Sequence, residues 1–464
     1  MFKLEKLQHH CPNCGGFLVF RPEAQTLEQG FSGLQTSKSI WDYNFSFPEI
    51  DLKYRVTLGE GNTECRPSRK FGGLFDLDNV YFKLETQNPT NSFKDRAAAL
   101  LIAHARSWDF SKVVCASNGN QGASIAAYAS LEGMNCVNII PEDIDIGKRA
   151  QMVAYDSKIS VKGKTVDEAL KESLREKYVK NFYQCTPEFN PLTIEGQKTI
   201  SFEIFDQIGV PEWIIIPMGS GGLVMSIWKG FKELKRAKII DHFPKLVGVQ
   251  TNACSPIVDS INENVDSSDI SYSEDLDSYA LGILVRNPLY LKPAMDAIIE
   301  TGGKAVAIPE NLMLTSSEEL ARHEGILAEP SSALTVAALN VMTQNDEISP
   351  ADSVVCMITG SGLKTPYILD AISTRTKTAG MGSILSTKLK ILSQISISEH
   401  RGINGSKLQE IIGNVSLSAI YQHLKDLEEK NLISRKKEGK SVLYFITERG
   451  KKVLDALDIL ITLL

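Results

Sequence analysis

The 464-residue sequence lacks the features that mark several large protein classes. No apolar run approaches the ~20 residues that a bilayer-spanning helix needs, and the opening MFKLEKLQHHCPNC is too polar for a secretory leader. There is no tandem repeat and no low-complexity tract. Cysteine is sparse and scattered: of the eight, only Cys11 and Cys14 are close in sequence. Several of the others lie in apolar runs (VVCAS, MNCVNII, VVCMITG), where a thiol serves most simply as a small buried hydrophobe. Such a pattern excludes a disulfide framework and suits a reducing cytoplasm. Membrane, secreted, collagenous and disordered classes are all excluded as expectations.

What is present is an ordinary globular composition, 43% apolar and 23% charged, in a chain about three times the length of a ~150-residue domain. Two or three folding units are expected. The net charge of −6 conceals an asymmetry. From Met381 onward there are 13 basic and 9 acidic residues, against 37 and 47 before it. An acidic body with a basic tail implies two separate jobs, and only the tail is suited to nucleic acid.

Four stretches follow in order. Residues 1–40 carry CPNCGG and FLVF, a Cys-x-x-Cys turn followed by a short strand, which is half of a zinc ribbon. No second pair follows at ribbon spacing, so a degenerate knuckle without metal is expected, although His9 and His10 are possible further ligands. Residues 41–372 alternate apolar runs (VYFKLE, KVVCAS, NCVNIIP, WIIIPMG, KLVGVQ, KAVAIP, SVVCMITG) with helical patterns such as FKDRAAALLIAHARSW and GLVMSIWKGFKELKR. That repetition predicts an α/β body of parallel sheets flanked by helices, in two subdomains, with ligands at the carboxyl ends of the strands. Residues 373–387 read as a polar linker. Residues 388–464 read as three helices, a basic hairpin SRKKEGKSVLYFIT and a closing amphipathic helix.

The chemistry-bearing stretches all fall at the ends of strands. In ETQNPTNSFKDR (85–96), Ser92 is a cap residue, Asp95 suits the positive end of the helix, and Lys94 does not. A lysine in the first turn has its pKa depressed, and a neutral amine is what Schiff-base chemistry requires. The loop CASNGNQG (115–122) offers Ser117, Asn118 and Asn120 as donors to an anion or a phenolic oxygen. The turn MGSGG places Gly219, Ser220, Gly221 and Gly222 at a helix N-terminus, which makes a phosphate cradle that matches neither the Walker nor the dinucleotide pattern. In MITGSGLK the hydroxyl of Thr359 can meet a ring nitrogen without charge.

Taken together with LGEGNT (58–63), NPLTIEGQKT (190–199) and AEPSSA (328–333), these stretches resemble the fold type II family of pyridoxal-phosphate enzymes, and within it the threonine synthases, across roughly residues 55 to 370. The resemblance implies a fold like that of tryptophan synthase β and pyridoxal 5′-phosphate as cofactor. It implies Lys94 as the Schiff-base lysine and catalytic base, Asn120 against the phenolic oxygen, residues 219–222 on the phosphate, and Thr359 facing the pyridine nitrogen. Ser92, Ser117, Asn118 and Lys198 are candidate substrate contacts. The implied reaction takes O-phospho-L-homoserine and water to L-threonine and phosphate. Threonine synthases similar to this often carry an arginine inside the 190–199 block, where this chain reads Leu192-Thr193-Ile194. Threonine or serine dehydratase, cysteate synthase, and a transcription regulator sensing the cofactor or an amino acid therefore stay open as alternatives. The tail resembles a winged helix-turn-helix. Ser416 would cap its recognition helix, Ser418, Tyr421, Gln422 and Lys425 would face outward, and Arg435, Lys436, Lys437 and Lys440 would form the wing. A homodimer is expected, with DNA or a regulatory protein as possible partners of the tail and no membrane partner.

Overall fold

The computed structural model of the chain describes residues 11, 13, 17–34, 37–262, 272, 278–366, 388, 391–396, 398, 402–412, 417–438 and 441–454. It divides into two compact units, Met1–Leu369 and Asp370–Leu464. The expected linker at 373–387 lies outside the described residues.

The first unit holds two sheets. One has strands β1 (Cys65–Pro67), β2 (Asn79–Leu84), β7 (Trp213–Pro217), β8 (Lys245–Thr251), β9 (Lys304–Ile308) and β10 (Ser353–Ile358). Their order is β1-β2-β10-β7-β8-β9, parallel throughout except for β1, which pairs antiparallel with β2. The other contains β3 (Lys112–Ala116), β4 (Asn135–Ile140), β5 (Lys158–Val161) and β6 (Tyr183–Gln184), all parallel, in the order β5-β4-β3-β6. Runs such as Ile214, Ile215 and Ile216 in β7 and Val354, Val355 and Cys356 in β10 are fully buried, as strands covered on both faces must be. The seven apolar runs read from the sequence all become strands. β1, β5 and β6 were not legible, being short or half polar (Lys158–Val161 reads KISV), without a continuous apolar run.

One expected strand is absent. Phe17 makes an isolated bridge and residues 18–20 are not in a strand. Phe17 instead stacks on Tyr290, with ring centroids 4.7 Å apart, and the Phe20 N–H donates to Glu195. Apolar packing and a side-chain acceptor replace the partner strand this segment would need. Cys14, His9 and His10 lie outside the described residues, and among the described residues no cluster of His, Cys, Asp and Glu is placed to hold a metal ion. Among those residues, too, no helix is long and apolar enough to cross a membrane.

The helix Lys94–Ser107 is rich in alanine and buried along most of its length. The helix Leu192–Gln197 crosses it closely at Gly196, where an added Cβ would stand 2.5 Å from the Arg96 carbonyl oxygen. Glycine there lets two backbones meet.

In the second unit, residues 391–396 are helical, followed by helices Gly405–Ile412 and Leu417–Glu429 and the antiparallel hairpin β11 (Ile433–Glu438) and β12 (Ser441–Ile446). Ile391, Ile395, Leu408, Ile420, Leu424 and Ile433 form its own core. Tyr421, Gln422 and Lys425 are exposed on the longer helix, as are Arg435, Lys436 and Lys437 on the hairpin. Ser416, Lys440 and the apolar terminus ILITLL fall outside the described residues.

Candidate active site

A cavity of about 910 Å³, counted to its open mouth, lies at the carboxyl ends of β3, β7 and β10. Among its lining residues are Lys94, Ser117, Asn118, Asn120, Thr359 and the whole turn 219–222. Four segments spread between residues 94 and 359 therefore converge, because each follows a parallel strand and the strands end on the same side. Ser92 and Lys198 are not among the lining residues. The backbone of Ser92 bridges to Gly360. Lys198 is fully buried between Glu195 at 2.7 Å and Glu233 at 2.8 Å, beside Lys229, so its ammonium completes a buried charge cluster.

Lys94 is the first residue of its helix, and its Nζ stands 4.6 Å from the centre of the Phe93 ring. Burial lowers its pKa below the ordinary lysine value, while Glu188, Cys115 and Glu329 pull the other way. The neighbouring side chains hold the loop in place. The Asp95 carboxylate accepts from the Thr90 N–H at 2.7 Å and the Thr90 hydroxyl at 2.6 Å, and Lys364 donates to the Thr90 carbonyl at 2.6 Å. Burial brings Lys364 down to about 8.

Asn120 begins the helix Asn120–Leu131, and its Nδ2 donates to both oxygens of Glu329, at 3.2 and 3.1 Å. Burial pushes the Glu329 carboxyl up, but Lys148 and Lys364 outweigh it and hold the group below its ordinary value. Asn118 donates to the Leu281 carbonyl at 2.9 Å. The Thr359 hydroxyl lies 2.9 Å from that of Ser332.

The glycine turn is shaped by backbone needs. Gly221 has φ +91°, in the left-handed region, and an added Cβ would lie 2.8 Å from the Ala294 Cβ. A Cβ on Gly219 would lie 3.2 Å from the Ile283 Cα. The helix that follows, Gly222–Arg236, is 15 residues long. A phosphoryl group fits such a turn through unpaired backbone N–H groups. The rest of the lining fits a polar aromatic ligand as well: Asn120 Oδ1, both amide atoms of Gln121, Thr193 Oγ1 and Gln197 Nε2 are buried without a hydrogen-bond partner. Buried polar atoms left unpaired in a cavity are binding capacity in waiting.

Glu188 and Tyr290 are among the lining residues that escaped the sequence reading. Glu188 sits in a short 3₁₀ turn, Pro187–Phe189, and Tyr290 closes the cavity above it by donating to the Pro187 carbonyl at 3.1 Å. The available signal for Glu188 was a carboxylate in a proline turn two residues ahead of the NPLTIEGQKT block.

This fold and this cavity define a pyridoxal-phosphate enzyme of the α/β, fold type II class. The comparisons agree. The family described as pyridoxal-phosphate dependent enzyme matches residues 56–360, and an HxlR-like helix-turn-helix matches residues 384–463. The threonine synthase of Methanocaldococcus jannaschii is 35% identical over 375 residues, covering 79% of this chain and 91% of that protein. That of Methanosarcina acetivorans is 33% identical, covering 79% and 90%. Among solved structures, maize serine racemase superposes with a TM-score of 0.57 at 18% identity over 68% of this chain and 92% of its own. Threonine deaminase isoform 2 from Solanum lycopersicum does so at 0.57 and 20% over 79% and 98%, a likeness of fold alone. The chain belongs to the pyridoxal-phosphate dependent enzymes, in the branch it shares with threonine synthases, and carries an HxlR-like winged helix-turn-helix as its second unit.

Proposed function

We propose that the chain performs elimination and replacement on an amino-acid side chain, converting O-phospho-L-homoserine and water to L-threonine and phosphate. The observation that carries this reading is Lys94: a buried amine of lowered pKa in one cavity with the glycine turn, Asn120 and Thr359. The names of the most similar relatives support it. Pyridoxal phosphate, when bound, supplies the electron sink that makes a Cα proton removable. Lys94 takes that proton and returns one farther along the side chain, as a neutral amine within reach can do. Asn120 holds the phenolic oxygen, Gly219, Ser220, Gly221 and Gly222 hold the phosphoryl group, and the uncharged Thr359 hydroxyl faces the ring nitrogen. Ser117 and Asn118 line the wall on which the substrate rests.

A second reading, elimination of a different leaving group as in a dehydratase, is favoured by one feature. Thr193 lines the wall where similar synthases often carry an arginine, and Lys94 is the one lysine or arginine among the described lining residues. Phosphate release from O-phosphohomoserine and O-phosphoserine, measured beside ammonia release from threonine, separates the two. Threonine formed from O-phosphohomoserine supports the first reading. Ammonia from threonine with no phosphate release replaces it by the second, and unchanged turnover in Lys94→Ala defeats both.

We further propose a cytoplasmic homodimer in which the winged helix serves dimerisation or regulatory docking. DNA contact through Arg435, Lys436 and Lys437 is its alternative, to be recognised by binding that weakens steeply with salt.

A further inference from the structure

We propose that Glu188 works as a neutral carboxylic acid in the wall of the phosphoryl site and donates its proton in a hydrogen bond to the cofactor's phosphoryl group. The inference rests on the reading of residues 219–222 as that site. Ser220, a member of the turn, donates to Glu188 Oε1 at 3.0 Å, and both residues line the cavity. Anything bound by the turn is therefore a near neighbour of this carboxyl. Behind Glu188 the surroundings are apolar: Phe17, Pro191, Ile194 and Met225. The titratable groups that act on it are Lys94, Asp167, the Cys115 thiol and the Tyr290 phenol. Lys94 is the one basic group of that set, and its amine is committed to the cofactor's aldehyde carbon.

An ionised carboxylate beside a phosphoryl dianion, with no cation to spare and little water, is strongly repelled. The neutral acid removes the repulsion and adds a donor to the backbone N–H groups of a turn whose one side-chain hydroxyl, that of Ser220, is directed at Glu188 itself. Burial independently raises the Glu188 carboxyl above its ordinary value, against the opposing pull of Lys94.

The test uses the full-length protein stripped of cofactor, and compares pyridoxal phosphate with pyridoxal, which has the aldehyde but no phosphoryl group. Their affinity ratio isolates the phosphoryl contribution from the ionisation of Lys94. In wild type this ratio should fall by about tenfold per pH unit once pH passes the Glu188 pKa, because one bound proton is required. Glu188→Gln keeps a donor but cannot ionise, so its ratio should be flat and exceed that of wild type by at least about tenfold at the alkaline end. A ratio with the same pH dependence in both proteins overturns the proposal. So does a shift in KM for O-phosphohomoserine with the ratio unmoved, which would assign Glu188 to the substrate. A ratio near one in wild type defeats instead the reading of the glycine turn. Should Glu188→Gln not fold, calorimetry of wild type at alkaline pH in two buffers of different ionisation enthalpy decides: uptake of one more proton with pyridoxal phosphate than with pyridoxal supports the proposal, and equal uptake overturns it.

Discussion

Lys94 and Arg96 stand two residues apart on one helix, yet their surroundings are opposite. Arg96 is fully buried, and all three of its nitrogens are paired: Nε to Glu85 at 2.7 Å, Nη1 to Glu203 at 2.6 Å and Thr199 at 3.0 Å, and Nη2 to Glu203, Glu85 and Thr63. Lys83 adds a second cation, 2.8 Å from Glu203. Burial would raise the Glu203 carboxyl, but Arg96 and Lys83 outweigh it and hold it down to about 2. The cluster ties LGEGNT, the SFKDR helix and the helix after EGQKT into one body. Around Lys94, by contrast, amide and hydroxyl atoms are left unpaired. A saturated buried network holds a fold together, whereas an unsaturated one awaits a ligand.

Arg96→Met should break the contrast most severely. Leaving Glu85 and Glu203 buried without their guanidinium is expected to cost about 3–5 kcal/mol, seen as a lower urea midpoint and loss of the fold at moderate temperature. Next in size, Lys94→Ala should lower turnover by about 10³-fold while leaving the urea midpoint close to wild type, as follows if its amine serves the proposed chemistry and not packing. An equal loss of stability in both variants would erase the distinction.

A third expectation concerns acid. His104 is buried, with Nδ1 2.8 Å from the Tyr183 hydroxyl, and burial lowers its pKa to about 4. A lowered folded pKa means that its contribution is complete above the unfolded value near ~6.5 and is lost as pH falls toward the folded one. Wild type should lose up to about 3 kcal/mol relative to His104→Phe between those limits, and parallel stability curves would refute the assignment. Smallest of all, Thr193→Val removes an unpaired hydroxyl from the cavity wall and should change stability by less than about 1 kcal/mol. Its effect should appear in KM alone; a large drop in stability would show that Thr193 belongs with the saturated network.

Legibility followed the range of the interactions. Long apolar runs announced β2, β3, β4, β7, β8, β9 and β10, because burial on both faces leaves a local signature. The turn chemistry of residues 219–222 and the placement of Lys94 at a helix start were likewise local. Lys198 shows the limit: its place in a conspicuous motif suggested a substrate contact, but its partners Glu195 and Glu233 enclose it away from the cavity. Glu188 shows the converse, being unremarked in sequence and central in space. The FLVF segment is held by the Phe17–Tyr290 stack and the Phe20 N–H to Glu195 instead of by a strand ladder.

By itself the order of residues determined that this is an α/β enzyme body with an amine at a helix start, a glycine turn and a separate basic tail, since periodicity, turn residues and charge are written within short windows. Only the tertiary structure decided which polar groups are saturated and which face the cavity, because hydrogen bonding, burial and the pKa of Glu188 depend on neighbours contributed from distant parts of the chain.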